Sequence, residues 1–206
     1  MNIKIWTPRY VCNRISYYFF EKQNKDKPWI TQDAIKVLET LLQKEFVGIE
    51  FGSGRSTVWY AKQIQHLTSI EDHKGWYEEV KAQFKEANVS NVDYLFKSSE
   101  GSTIAQTDYC LVIDEFKDNS LDFIVIDGKH RDVLANKSIS KLKIGGILLL
   151  DDANRYLPHQ TKSPYSIKMD SQKVTPAWRN FQEEVKNWKM IWTSNGVSDT
   201  AIFIKK

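Results

Sequence analysis

The chain has 206 residues, of which 27% are charged and 41% hydrophobic, and its formal net charge is +3. This length predicts one domain, residues 1–206, and the small net charge argues against nucleic acid as the main partner. Cys12 and Cys110 form no CxxC pair, and the run "ISYYFF" is too short for a membrane span and lacks a signal peptide's layout. We therefore expect reduced thiols, no membrane contact and a cytoplasmic protein.

Residues 1–45 form a leading segment that is unusually rich in aromatic side chains. Residues 1–30 have no clear period, whereas 31–45 read as a helix with Thr31 as its N-cap. The aromatic side chains either pack this segment onto the core or form a lid over a flat ligand; they are Trp6, Tyr10, Tyr17, Tyr18, Phe19, Phe20 and Trp29.

Residues 46–152 alternate between strand and helix patterns. Strands are predicted at "FVGIEF", "LTSIED", "VDYLFKS", "LDFIVIDG" and "GGILLLDD", with amphipathic helices between most of them and an irregular region at 99–120. A long polar loop at 153–177 precedes the C-terminal helix and closing hairpin of 178–206. The helical pattern "TPAWRNFQEEVKNW" begins in the last residues of that loop, with Pro176 early in it. The pattern predicts an α/β fold, an open sheet with helices on both faces and an antiparallel C-terminal hairpin.

Polar or glycine-rich residues follow four of the predicted strands, in "EFGSGRST", "IEDH", "IDGKH" and "LLDDAN". Ligands of such sheets bind at the carboxyl ends of the strands. The glycine turn lacks the third glycine of a dinucleotide fingerprint, because Thr57 stands there, and the phosphate-loop motif is absent. Glu50 beside the turn favours a cationic ligand group over a pyrophosphate, and Glu71 suits a ribose diol.

Together, "EFGSGRST", "SIEDHKGWYEEV", "IDGKHRDV" and "LKIGGILLLDD" resemble the ordered motifs of class I S-adenosylmethionine-dependent methyltransferases. The resemblance implies a single Rossmann-like doubly wound sheet of seven strands in the order 3-2-1-4-5-7-6. It also implies S-adenosylmethionine as cofactor and a cofactor site built from Glu50, Gly52, Ser53, Gly54, Glu71, Asp72, Ser98, Ser99 and Asp127.

Three acids form a second predicted constellation. Asp127 ends one strand, and Asp151 and Asp152 end the next, so their carboxylates could converge and require a cation. Oxygen ligands suit Mg²⁺ or Ca²⁺. The alternative is that the aspartates cap their own turns, but the pattern is similar to cation-dependent O-methyltransferases, which favours metal binding.

His130 stands where catechol-type enzymes carry a lysine proposed as base. With Asp127 it is the predicted catalytic pair, although His130 could instead orient an aspartate. We expect methyl transfer to a hydroxyl of a small acceptor such as a sugar or a natural-product-like molecule, with residues 153–177 over the acceptor pocket, and a homodimer is left open. An NAD-dependent oxidoreductase and a non-catalytic binding protein are the alternatives.

Overall fold

The computed structural model describes residues 6–206, so the first five residues of the predicted leading segment lie outside the described part. Seven strands form one sheet in the order β3-β2-β1-β4-β5-β7-β6. Strands β1 to β5 are parallel, and β7 runs antiparallel to both β5 and β6. The predicted order and hairpin are confirmed. The strands are β1 (Val47–Phe51), β2 (His66–Glu71), β3 (Val92–Phe96), β4 (Leu121–Ile126), β5 (Leu142–Leu150), β6 (Lys189–Ser194) and β7 (Asp199–Ile204).

Alternation along the central strands divides the core between the two faces of the sheet. In β4, Ile124 and Ile126 pack on one face, whereas Phe123 and Val125 pack on the other, and all four are buried. The helices are α1 (Pro8–Gln23), α2 (Gln32–Leu41), α3 (Arg55–Gln63), α4 (Lys74–Glu86), α5 (Asp108–Leu111), α6 (Arg131–Lys141) and α7 (Pro176–Glu184). Residues of α2 and α3 join the core of one face and residues of α5, α6 and α7 that of the other, so apolar surface of the sheet is buried on both sides.

Helix α1 is the element that the sequence pattern missed. Thr7 caps its first turn through a hydrogen bond from the Tyr10 amide, and Pro8 occupies the position where a missing N–H costs least. The helix buries only Tyr17, which explains the absence of a clear hydrophobic period. Most of the leading aromatic side chains are therefore not core: Trp6, Tyr18, Phe19 and Trp29 are each about half exposed.

Strand register brings all four of the polar strand ends together. Phe51 pairs with Ile70 on one side and with Ile126 on the other, and Ile126 pairs with Leu150. The residues that follow these strands therefore stand side by side at one edge, which includes the point between β1 and β4 where strand order reverses. No helix among residues 6–206 is long and apolar enough to cross a membrane.

Candidate functional site

The glycine turn after β1 meets the turn after β4 at backbone contact. Gly52 has φ +92°, and a Cβ there would lie 2.6 Å from the amide nitrogen of Gly128. A residue with a side chain at position 52 would be strained in this backbone conformation, and its Cβ would clash with the main chain of Gly128. Glycine is required here because two turns share one narrow space.

Glu50 lies beneath this turn with its side chain fully buried. Its carboxylate accepts hydrogen bonds from Thr57 and Ser69, each at 2.6 Å, and from Ser56 at 3.2 Å. Burial raises the pKa of Glu50 to about 7, although the three hydroxyls oppose that rise. The carboxylate therefore joins β1, β2 and α3 below the predicted ligand position and is poised to ionise near neutral pH.

Glu71 ends β2 with its carboxylate directed at the same turn, and the residue is 5% exposed. One carboxylate oxygen accepts from the Ser53 amide at 3.2 Å and from the Ser53 hydroxyl at 2.7 Å. The other accepts from the amides of Asp72 and His73. The Ser53 hydroxyl is also 2.7 Å from the Tyr94 hydroxyl, which gives Ser53 a second partner.

Two tryptophans cover the glycine turn from outside. The Trp76 indole donates to the Ser53 carbonyl at 2.7 Å, and the Trp29 ring stacks on Trp76 with centroids 6.4 Å apart. The Arg55 guanidinium lies 5.0 Å from the Trp29 ring centroid. The sequence pattern left Trp76 uncertain and gave no signal that Trp29, far away in the chain, would reach it.

The segment after β3 is tied to the ends of β2 and β4. The Ser99 hydroxyl donates to the Asp72 carboxylate at 2.6 Å, and the Lys129 ammonium lies 2.5 Å from the same carboxylate. Burial raises the pKa of Asp72, but Lys129 and Ser99 outweigh that effect and the net pKa is lowered. Ser98 is exposed, and its carbonyl accepts from the Tyr109 amide.

His130 precedes α6 in a left-handed conformation, with φ 53°. Such a conformation in a residue other than glycine stores strain and is common at functional sites. Its Nε2 lies 3.0 Å from the Ser99 carbonyl, which can only accept, so Nε2 carries the proton in this contact. In the neutral ring, Nδ1 is then the atom that can accept a proton.

Arg131 fills the space between the carboxyl ends of β4 and β5, and the sequence pattern did not single it out. Its guanidinium donates to the Asp127 carboxylate at 2.9 Å, to the carbonyls of Asp127 and Asp151 at 2.5 and 2.6 Å, and to the Gly128 carbonyl at 2.8 Å. Burial raises the pKa of Asp127, and Arg131 opposes that rise. No local pattern reveals this pair, because Asp127 follows β4 and Arg131 begins α6, so the contact depends on the turn between them.

The other two predicted metal ligands also have partners. Asp151 accepts from the Thr200 hydroxyl at 2.7 Å, and Asp152 lies 3.3 Å from the Arg155 guanidinium. Burial and the charge of Asp127 raise the pKa of Asp151. Among the described residues, no three His, Cys, Asp or Glu side chains form a metal-binding group. A guanidinium therefore lies among the acids that the sequence pattern assigned to a cation.

Tyr109 is a further residue that the sequence pattern missed. It is buried, and its hydroxyl has no hydrogen-bond partner among residues 6–206. A Cβ on Gly128 would lie 2.0 Å from that hydroxyl, so Tyr109 stands directly against the turn that meets Gly52.

Comparison with known proteins connects this edge of the sheet to a function. Residues 49–153 match the family model described as "Methyltransferase domain". None of the curated proteins compared with the chain matches it significantly.

Solved structures share the whole fold at low sequence identity. A Corynebacterium glutamicum protein is 16% identical, with 98% of this chain and 93% of that chain covered and a TM-score of 0.61. A proposed caffeoyl-CoA O-methyltransferase from Staphylococcus aureus is 16% identical over 97% and 93% of the chains, with a TM-score of 0.57. A proposed methyltransferase from Streptococcus mutans, solved with S-adenosylhomocysteine, is 12% identical over 83% and 94%, with a TM-score of 0.53.

Proposed function

The chain belongs to the methyltransferase-domain family of class I S-adenosylmethionine-dependent transferases, and we propose that it methylates a hydroxyl oxygen of a small acceptor. Three features at the carboxyl ends of the strands support the proposal. Gly52 permits close approach of the backbone, Glu71 offers a buried carboxylate, and His130 has a ring nitrogen that can accept a proton. Membership of a methyltransferase family argues against the alternative of an NAD-dependent oxidoreductase.

We propose that Glu71 binds the ribose of the methyl donor. A diol would replace the Ser53 hydroxyl on the carboxylate, and Ser53 would keep the Tyr94 hydroxyl as its partner. The Trp29 and Trp76 pair would cover the turn from outside, which assigns the lid role to the end of the leading segment. Glu50, fully buried, would act through the turn and through its negative charge.

S-adenosylmethionine supplies an electrophilic methyl group on a sulfonium. The acceptor oxygen would form the new O–CH₃ bond as the S–CH₃ bond breaks, and sulfur would keep the electron pair. The hydroxyl proton passes to Nδ1 of His130, whose orientation is fixed by the Ser99 carbonyl. Holding the two substrates in line contributes most of the rate.

We further propose that the acids at the ends of β4 and β5 are compensated by Arg131, in place of the divalent cation predicted from the sequence. The guanidinium donates to both strand ends, so a side chain of the protein supplies the positive charge that a metal ion would otherwise supply. Titration with Mg²⁺ or Ca²⁺ tests this directly, because either ion should bind weakly and leave the affinity for S-adenosylhomocysteine unchanged.

Calorimetric titration with S-adenosylhomocysteine in the presence of a chelator tests the methyl-donor site. We expect binding, and we expect Glu71→Gln to weaken it by roughly 10- to 100-fold, the range for a lost hydrogen bond to a charged group. Asp93→Asn is the matched control. It makes the corresponding change of a carboxylate on the neighbouring strand β3, where the side chain is 68% exposed. Equal affinities of the two variants, or no binding by the wild type, would contradict the proposal.

A further inference from the structure

A cleft of about 530 Å³ opens beside the candidate site, between the turn after β4, the start of α6 and the loop 153–177. Its lining is strongly basic and contains Asp132 as its single acid; the basic residues are Lys129, His130, Arg131, Arg155 and Lys173. The Asp132 carboxylate accepts a hydrogen bond from the Val133 amide at the start of α6. That negative charge is therefore directed at the helix terminus.

The positive charges of the cleft differ in how far they are already compensated. Lys129 is paired with Asp72, and Arg131 is paired with Asp127. Lys173 forms no ion pair within the described part of the chain, and the half-exposed Arg155 contacts Asp152 at 3.3 Å. The rim formed by Lys173 and Arg155 is thus less fully compensated than Lys129 and Arg131, because Lys173 has no acid partner there and the Arg155 pair is the longest of the three, and a bound anion would compensate it.

The cleft also has a flat, apolar side. The rings of Tyr156 and Trp178 lie with centroids 5.2 Å apart, and Ile167 completes this surface. The Arg131 guanidinium lies 5.6 Å from the Tyr156 ring centroid and so connects the apolar surface to the candidate site. A cleft with a few convergent charged groups and an apolar wall suits a small ring-containing molecule that carries a charge.

We propose that the acceptor carries an anionic group, a carboxylate or a phosphate, and that Lys173 and Arg155 bind this group. The ring of the acceptor packs on Tyr156 and Trp178, and its hydroxyl points towards His130, which also lines the cleft. This inference rests on the proposed methyl transfer and narrows its substrate class.

The test measures binding to the chain saturated with S-adenosylhomocysteine, so it needs no turnover. The probes are two matched pairs: protocatechuate with its neutral methyl ester, and a pentose phosphate with the free pentose. We expect at least one anion to bind roughly tenfold more tightly than its neutral counterpart, since each of the two exposed cations contributes a factor of about three. The pair that shows the preference distinguishes a carboxylate from a phosphate.

Charge reversal at the rim identifies the residues. Lys173→Glu combined with Arg155→Glu should abolish the preference for the anion, whereas Lys168→Glu, an exposed lysine of the same loop outside the cleft, should preserve it. The proposal is overturned if neither anion binds at millimolar concentration, if neutral and anionic probes bind equally, or if Lys168→Glu has the same effect as the double variant. Failure of S-adenosylhomocysteine itself to bind would instead refute the proposed function.

Discussion

Replacing Glu50 by glutamine isolates the electrostatic role of the buried carboxylate under the glycine turn. The folded-state pKa of Glu50 is about 7, above its ordinary value of 4.5, and burial is the main cause. The folded chain therefore holds the proton more tightly than the unfolded chain does. The ionised carboxylate destabilises the fold increasingly as pH rises above about 4.5, and the penalty is complete above about pH 7.

The size of the penalty follows from the two pKa values. Each pKa unit corresponds to about 1.4 kcal/mol, so the difference amounts to about 3 kcal/mol at pH 8. Glutamine removes this penalty and leaves an oxygen that can accept from Ser69 and Thr57, while its amide group needs an acceptor of its own. For a domain of this size 1 kcal/mol shifts Tm by about 2–4 °C, so an increase of several degrees is expected.

Thermal melts of the ligand-free protein between pH 5 and pH 8.5 measure how the stability difference between variant and wild type depends on pH. We expect Glu50→Gln to melt above the wild type at pH 8, with the difference closing towards pH 5. The same variant should bind S-adenosylmethionine more weakly, because the cationic ligand loses a nearby negative charge. Glu45→Gln, an exposed position just before β1, controls for a general change in net charge. A loss of stability that is the same at every pH would refute the reasoning.

Three further variants test other parts of the site. Gly52→Ala should abolish S-adenosylhomocysteine binding and lower the free energy of unfolding, measured in urea, by more than about 2 kcal/mol. Gly145→Ala is the control, because Gly145 also has positive φ but no atom lies within 4 Å of the added Cβ. It should cost only about 1 kcal/mol. Arg131→Met should lower the free energy of unfolding by about 3–5 kcal/mol, because it leaves buried acids uncompensated. Adding Asp127→Asn should recover part of that loss. If the losses of the two substitutions simply add, Arg131 does not compensate the charge of Asp127. His130→Asn should reduce the rate of methyl transfer to any identified acceptor by roughly 100-fold or more with unchanged S-adenosylhomocysteine affinity, and an unaltered rate would assign His130 to orientation alone.

Much of the fold could be predicted from local pattern. Apolar runs such as "LDFIVIDG" and "GGILLLDD" indicate strands buried on both faces, and strand–helix alternation requires parallel neighbours. The same alternation predicts the position of the candidate site, because the carboxyl ends of parallel strands share an edge. Helix α1 escaped prediction because it buries only Tyr17, so hydrophobic periodicity carries no signal there.

Local sequence specifies which residues follow each strand, and the strand register then puts Gly52, Glu71, Asp127 and Asp151 at one edge of the sheet. The packing of the whole chain sets what each of them contacts there. Whether neighbouring acids need a metal depends on the nearest positive charge, and Arg131 reaches both strand ends only because α6 starts immediately beyond β4. Likewise, Trp29 meets Trp76 through packing between segments distant in the chain. Residue periodicity encodes elements and their order, whereas charge compensation and ring contacts depend on distances that only the packed chain defines.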